Sequence, residues 1–352
     1  MNIIEKAFKN MIKLDTEFSE KNQDIDKIIE LFYSSFKSEY LKIEKHHLVE
    51  KSKQNTVVIN EYIKYWQNGI TKLEGFVLIC TAFGEVFSKS YNEKKRDEKN
   101  LLTEVIIQLH IRACEISEAI IVLLKSGHID AAFSQWRILH EVNVVTLFIN
   151  KYGEECAERY IAYMYIDKHI GANQYTIYQD RLNERGPTDS ELEKLKKIND
   201  QLIDKYGKSF RKSYGWACKF VYDDTRCNDK TNISFTHIEK DVNLDHIRPY
   251  YKIASQYAHV SSVAFDVDES FYPIDEDYGV FSKSNISITI VAHSLALSLM
   301  KSTSVLMSID SSLDSLVIMK TIKGFEKEIG EVFSSLNKNN RIRRKNLKCK
   351  KT

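Results

Sequence analysis

Apolar residues recur every three or four positions along almost the whole chain, the repeat of amphipathic helices. No convincing alternation of period two ends in a turn signal, so strands are not expected. Residues 1–50 read as two amphipathic helices rich in Lys and Glu, with Ile28, Ile29, Leu31, Phe32 and Phe36 on a helical face. Helical period continues from Asn55 to Lys89 through Tyr62, Trp66, Ile70, Leu73, Phe76 and Ile79. Asn92–Asn100 (NEKKRDEKN) has no apolar residue and marks a boundary. Leu101–Lys125 is a strong helix closed by Ser126-Gly127 as a left-handed stop. The pattern restarts at Ile129, which predicts a tight antiparallel hairpin. A tyrosine-rich helix follows from Glu154 to Arg181, and Arg185-Gly-Pro187 breaks it before a charged helix over Thr188–Lys205. Thr236-x-x-Glu239 has the form of a capping box, and Pro249 suits the first turn of another helix. Helices near Ser284–Ser308 and Ser311–Leu336 complete the series. The expected fold is an all-α multi-helix bundle in three regions: an N-terminal helical region (1–95), a central bundle (96–310), and a C-terminal helix with a basic tail (311–352).

Two of these helices carry polar side chains on otherwise apolar cylinders. In Asp130–Asn150, Asp130, Ser134, Arg137 and Glu141 follow one another at steps of four, three and four. In Pro249–Ala264, Ser255, His259 and Ser262 are spaced by four and three. Such spacings place each set on one face. Helices this apolar are buried on most sides, and a buried Arg or Glu is costly without a partner. The two stripes are therefore the candidate site, and the second helix is expected to pack beside the first.

Composition agrees with the pattern: 12 Gly and 3 Pro are few breakers for 352 residues. The six cysteines show no metal-ligand spacing, and the N-terminus lacks an apolar signal core, so reduced thiols in a cytoplasmic protein are expected. Ile286–Met300 is the most membrane-like stretch, but polar residues interrupt it, and it reads as a core helix without a membrane span. From Asn337 to Thr352 there are eight basic residues and no acidic one. Taking these from the net charge of +2 leaves −6 on the remainder, unlike a protein that coats nucleic acid with its whole surface. Within the basic run Arg341, Arg343, Arg344 and Lys345 are the candidate nucleic-acid contacts. The competing reading is a disordered solubilising end, and no interleaved aromatics offer base stacking.

Each candidate has a bland counterpart. Arg137 and Glu141 are one turn apart and could form a structural ion pair, or Glu141 could orient Arg137 toward a phosphate, a task that suits a planar, permanently charged guanidinium. His140 lies beside the stripe and reads first as a core histidine. His259 shares a face with Ser255 and Ser262, a step that supports proton transfer, but no Gly-x-Ser-x-Gly elbow accompanies it. The carboxylate-rich stretch Asp266–Asp277 offers hard oxygen ligands without EF-hand spacing, and such runs are usually solvated, so no metal is assigned. No HExxH, Walker loop or GxGxxG after a strand occurs, and no cofactor is expected.

With WRILHE at Trp136–Glu141 after the SGHIDAAF turn, and YKIASQYAHVSS at Tyr251–Ser262, the chain resembles a bacterial helical family of unknown function. That family pairs an Arg-x-x-x-Glu helix with a Ser-x-x-x-His helix about a hundred residues later. The likeness spans roughly Leu101 to Ser308. The setting also resembles HEPN domains, helical bundles that often act as metal-independent ribonucleases in toxins and phage defence. Their Arg and His have four to six intervening residues on one helix, a spacing absent here: Arg137 and His140 have two, Arg159 and His169 nine, Arg248 and His259 ten. A HEPN relative would have to draw Arg137 and His259 from different helices. This resemblance implies a defence- or toxin-type endoribonuclease, with His259 as general acid/base, Arg137 stabilising the phosphorane, Glu141 orienting Arg137, and Ser255 assisting. His140, Ser262 and Asp130 are secondary candidates. The expected partners are RNA and a protein of the same system, with homo-oligomers also considered. The alternative is a non-catalytic interaction module whose stripes form a structural network.

Overall fold

No proline interrupts the chain before Pro187, and Lys and Glu are good helix formers. From the first described residue on, the second expected N-terminal helix and the helical stretch Asn55–Lys89 are one helix, α1 (Ile25–Glu93), of 69 residues. The computed structural model describes residues 25–226, 231–258, 288–310 and 312–351. Residues 1–65 and 66–352 form two compact units. In the first, the described part is the beginning of α1, where Ile29, Tyr33 and Tyr40 are exposed and Phe36 and Tyr40 stack at 6.4 Å.

In the second unit, the polar run after α1 becomes a short 3-10 turn, Arg96–Glu98, and then α2 (Leu101–Lys125) begins. Its start is held from two directions. Asn100 Oδ1 accepts from Thr103 N, and the Glu154 carboxylate accepts from Leu101 N and Leu102 N, each at 2.9 Å. At its end Gly127 takes φ +76°, open to glycine, and the chain reverses into α3 (Ile129–Tyr152). The hairpin predicted from Ser126-Gly127 is thus present. Gly153 separates α3 from α4 (Glu154–Leu182), and a full capping box of Thr188 and Glu191 starts α5 (Asp189–Tyr206). Short 3-10 turns, Lys208–Arg211 and Gly215–Ala217, lead to α6 (Cys218–Arg226). Two short helices follow, α7 (Phe235–Asp241) and α8 (Arg248–Ala258). The last two are α9 (Ile288–Ser308) and α10 (Leu313–Lys351). Every described element is helical, and among the described residues there is no strand.

The core lies where α2, α3 and α9 meet, with Ile106, Ile120 and Leu124 from α2, Phe133, Trp136 and Phe148 from α3, and Leu295 and Leu299 from α9. Three side-chain contacts cross it: Trp136 Nε1 donates to Ser298 Oγ (3.2 Å), Ser302 Oγ donates to Asn143 Oδ1 (3.2 Å), and His110 Nε2 lies 3.0 Å from Thr303 Oγ1. Buried polar groups that meet one another set the register of α9 against the hairpin. By length and composition α9 could cross a membrane, and most of its apolar window is buried here. Outside it, α10 packs along α9 and closes the unit with Phe333 against Trp66, ring centroids 6.0 Å apart. The backbone of α10 stays helical through Lys351, so the basic run continues a helix. Cys80, Cys114 and Cys156 are free and buried, whereas Cys218 is disulfide-bonded, against the expectation of reduced thiols throughout.

Candidate functional site

On α3, the 100° step of the helix puts Arg137 and Glu141 on one face and turns His140 toward the interior. Arg137 Nη2 and Glu141 Oε1 form an ion pair at 3.1 Å, the side chains 25% and 29% exposed. His140 is fully buried, and its ring meets Trp136, Phe235 and Tyr251, with centroids 5.4, 5.9 and 5.8 Å away. Its Nε2 lies 2.8 Å from Glu239 Oε1. A carboxylate only accepts, so Nε2 carries the hydrogen. Among the described residues, His140 Nδ1 has no partner.

The sequence predicts Glu239 as the end of a capping box begun by Thr236. The structure corrects this: Ser234 caps α7 with His237 in the reciprocal position. Glu239 then falls on the inner face of α7, fully buried, where it touches His140 through one oxygen and Arg248 through the other. Arg248, 20% exposed, opens α8 immediately before Pro249. A carboxylate buried to this degree would be very costly alone, and these two contacts compensate it.

Tyr251, one turn into α8, joins the two pairs. Its hydroxyl donates to Glu141 Oε1 at 2.6 Å. The guanidinium carbons of Arg137 and Arg248 each lie 5.2 Å from its ring centroid. A cation near an aromatic ring is attracted by the ring quadrupole. Burial first, and then the Glu141 hydrogen bond and charge, hold the Tyr251 phenol well above its ordinary range, so it remains a donor. Tyr214, half-buried, comes from the residue just before the 3-10 turn Gly215–Ala217. Burial and the charge of Glu141 raise its phenol, while Arg137 and Arg248 oppose the shift. Its backbone is left-handed, φ +55°, a conformation side chains rarely adopt. The next residue, Gly215, lies so close to the Ser209 and Phe210 carbonyls that a Cβ would clash with them.

The remaining candidates divide. Ser255 Oγ donates to Tyr251 O at 2.8 Å, an ordinary helical back-bond that leaves it only acceptor capacity. Asp130 begins α3, and its charge adds to burial in raising the Tyr257 phenol on α8. Since Tyr251 meets the middle of α3 and Tyr257 its beginning, α8 runs antiparallel to α3. The second striped helix thus packs beside the first as expected, as far as Ala258. His259 and Ser262 lie outside the described residues, as does the carboxylate-rich stretch Asp266–Asp277. Arg341, Arg343, Arg344 and Lys345 fall in α10, where the backbone alone is described. Among the described residues no group of three or more His, Cys, Asp or Glu could hold a metal.

Sequence reasoning missed Glu239, Arg248, Tyr251 and Tyr214. A signal was available for one of them: a lone Glu on the apolar side of a short helix needs a buried partner. Arg248 gave none, because a basic residue before Pro reads as a helix start.

Residues 103–271 match the model of a family of unknown function (DUF5677), so the resemblance drawn from the two striped helices holds for that segment. The match does not extend to HEPN domains. The chain matches no curated protein and no solved structure.

Proposed function

We propose that the face shared by α3, α7 and α8 binds the phosphate backbone of RNA, and that the protein is a defence- or toxin-type endoribonuclease. The observation that carries this reading is the pair of guanidiniums on one tyrosine ring. Each is held by a carboxylate and still partly reaches solvent, its side chain 25% exposed for Arg137 and 20% for Arg248. A guanidinium has five N–H donors, so a carboxylate on one side leaves others for an incoming phosphate. In this reading Glu141 fixes Arg137, and Arg137 stabilises the charge that develops on phosphorus. His259, the residue after α8, is the general acid/base, in the role its spacing from Ser255 suggests.

A second reading, an interaction module with a structural network, has its own support: the His140–Glu239 contact is sealed from solvent, and both arginines are already neutralised. One experiment separates them. A 5′-labelled single-stranded RNA is incubated with wild type, His259→Ala and Arg137→Lys, and binding, cleavage and melting temperature are followed together. Catalysis predicts that His259→Ala binds without cleaving and that Arg137→Lys binds at least tenfold more weakly, both remaining folded. RNA that neither binds nor is cut by wild type, with variants that only melt earlier, would leave the module.

A further inference from the structure

The sequence offers one candidate phosphate ligand, Arg137, and the fold delivers two. Arg248 comes from a different helix, 111 positions along the chain, yet both guanidiniums lie 5.2 Å from the centroid of the Tyr251 ring. The charge of each also reaches the half-buried phenol of Tyr214. Neither cation is consumed by its carboxylate. Arg137 Nε and Arg248 Nε are buried and without a hydrogen-bond partner among the described residues, whereas Arg248 Nη2 is held by Glu239. Unpaired donors of this kind are expensive in a folded protein. Two such donors, on two arginines that share the Tyr251 ring, mark a place where cationic groups hold more hydrogen-bonding capacity than the protein uses.

We propose that this site takes a ligand with two neighbouring anionic groups, one on Arg137 and one on Arg248: a chain of linked phosphates rather than a single one. The pairing with Glu141 and Glu239 explains how both cations are tolerated before a ligand arrives. The partial exposure of both side chains explains how an anion reaches them. Planar forks of this type match phosphate oxygens in a way a lysine ammonium does not. The inference rests on the anion-binding half of the reading above and needs none of its catalytic half.

Calorimetric titration of the full chain with orthophosphate and with inorganic tripolyphosphate tests it. Wild type should bind tripolyphosphate at least tenfold more tightly than orthophosphate. Arg248→Lys should bring that ratio to within threefold of unity while changing orthophosphate affinity less than threefold, because Arg137 remains. Arg248→Lys leaves the basic run at 337–352 untouched, so that run cannot produce this pattern. Should Arg248→Lys not fold, Arg137→Lys must collapse the same ratio. Equal affinities in wild type, or a ratio that both lysine variants leave intact, would overturn the proposal. Displacement then distinguishes the source of the phosphates. A short RNA that displaces tripolyphosphate where equimolar ATP does not supports the nucleic-acid backbone. The reverse result keeps the two-anion site and removes RNA as its ligand.

Discussion

At the scale of single residues, His110 links the core to pH. It is 2% exposed in α2, with Thr303 Oγ1 3.0 Å from Nε2, Cys114 Sγ 3.8 Å from the ring, and Gly84 so close that a Cβ there would collide with it. Burial pulls its pKa down to about 4. The nearby thiols go the other way, Cys80 to about 12 and Cys114 to about 11, so neither titrates in the acid range. An unfolded histidine takes up its proton near pH 6.5, so between there and pH 4 the unfolded state binds more protons and stability falls with pH. The neutral imidazole contributes stability that is present above 6.5 and lost on the way down to 4, on the order of 3 kcal/mol. Urea unfolding of wild type and His110→Gln at pH 7 and pH 4.5 should show the smaller loss in the variant, since the carboxylates are common to both. Equal losses would mean that His110 takes its proton without unfolding the core.

Among the elements, the hairpin was the most legible, because its causes are local: an apolar repeat on each side, and one glycine where the chain turns left-handed. The polar run Asn92–Asn100 was legible as the end of α1, whereas the continuity of Ile25–Glu93 was not, although Lys and Glu favour helix and no Pro interrupts it. The candidate site was half legible. Arg137 and Glu141 pair one turn apart on one helix, and their spacing announces it. The His140–Glu239 contact joins residues 99 positions apart, and only packing brings them together. The start of α2 shows the same division. Asn100 caps an amide three residues on, a local contact, whereas Glu154 lies 53 and 52 positions from the two amides whose hydrogens it accepts, and only packing brings it there. That carboxylate also sits in the first turn of α4, so one negative charge faces the positive ends of two helices. Glu154→Ala should therefore destabilise the protein by about 1 kcal/mol, comparable to Asn100→Ala. Glu154→Gln should fall between Glu154→Ala and wild type, because it keeps an acceptor and loses the charge. Denaturant midpoints of the three variants decide it, and a wild-type midpoint for Glu154→Ala would remove the second cap from the account.

For the molecule as a whole, α10 joins two physical regimes. Its first half is core: Ile322, Ile329 and Phe333 are buried, and the Phe333 ring lies over Gly69, where a Cβ would be only 2.8 Å from it. Its second half carries the basic run, eight positive charges from Asn337 on. The two halves should fail differently. Phe333→Ala empties a fully buried ring site stacked on Trp66 and should cost about 3–5 kcal/mol, with no change in ionic partners. Removing residues 337–352 takes away Ile342 and Leu347 as its only large apolar side chains and leaves Phe333 seated, so the melting temperature should hardly move. Each phosphate contact contributes to the slope of log affinity against log salt, so if the run touches RNA the truncated chain should bind more weakly and with a flatter slope. Phe333→Ala, where still folded, should keep the wild-type slope. An unchanged slope after truncation would confine RNA contact to the arginine pair on Tyr251, and a large fall in melting temperature would mean that the last turns of α10 belong to the core after all.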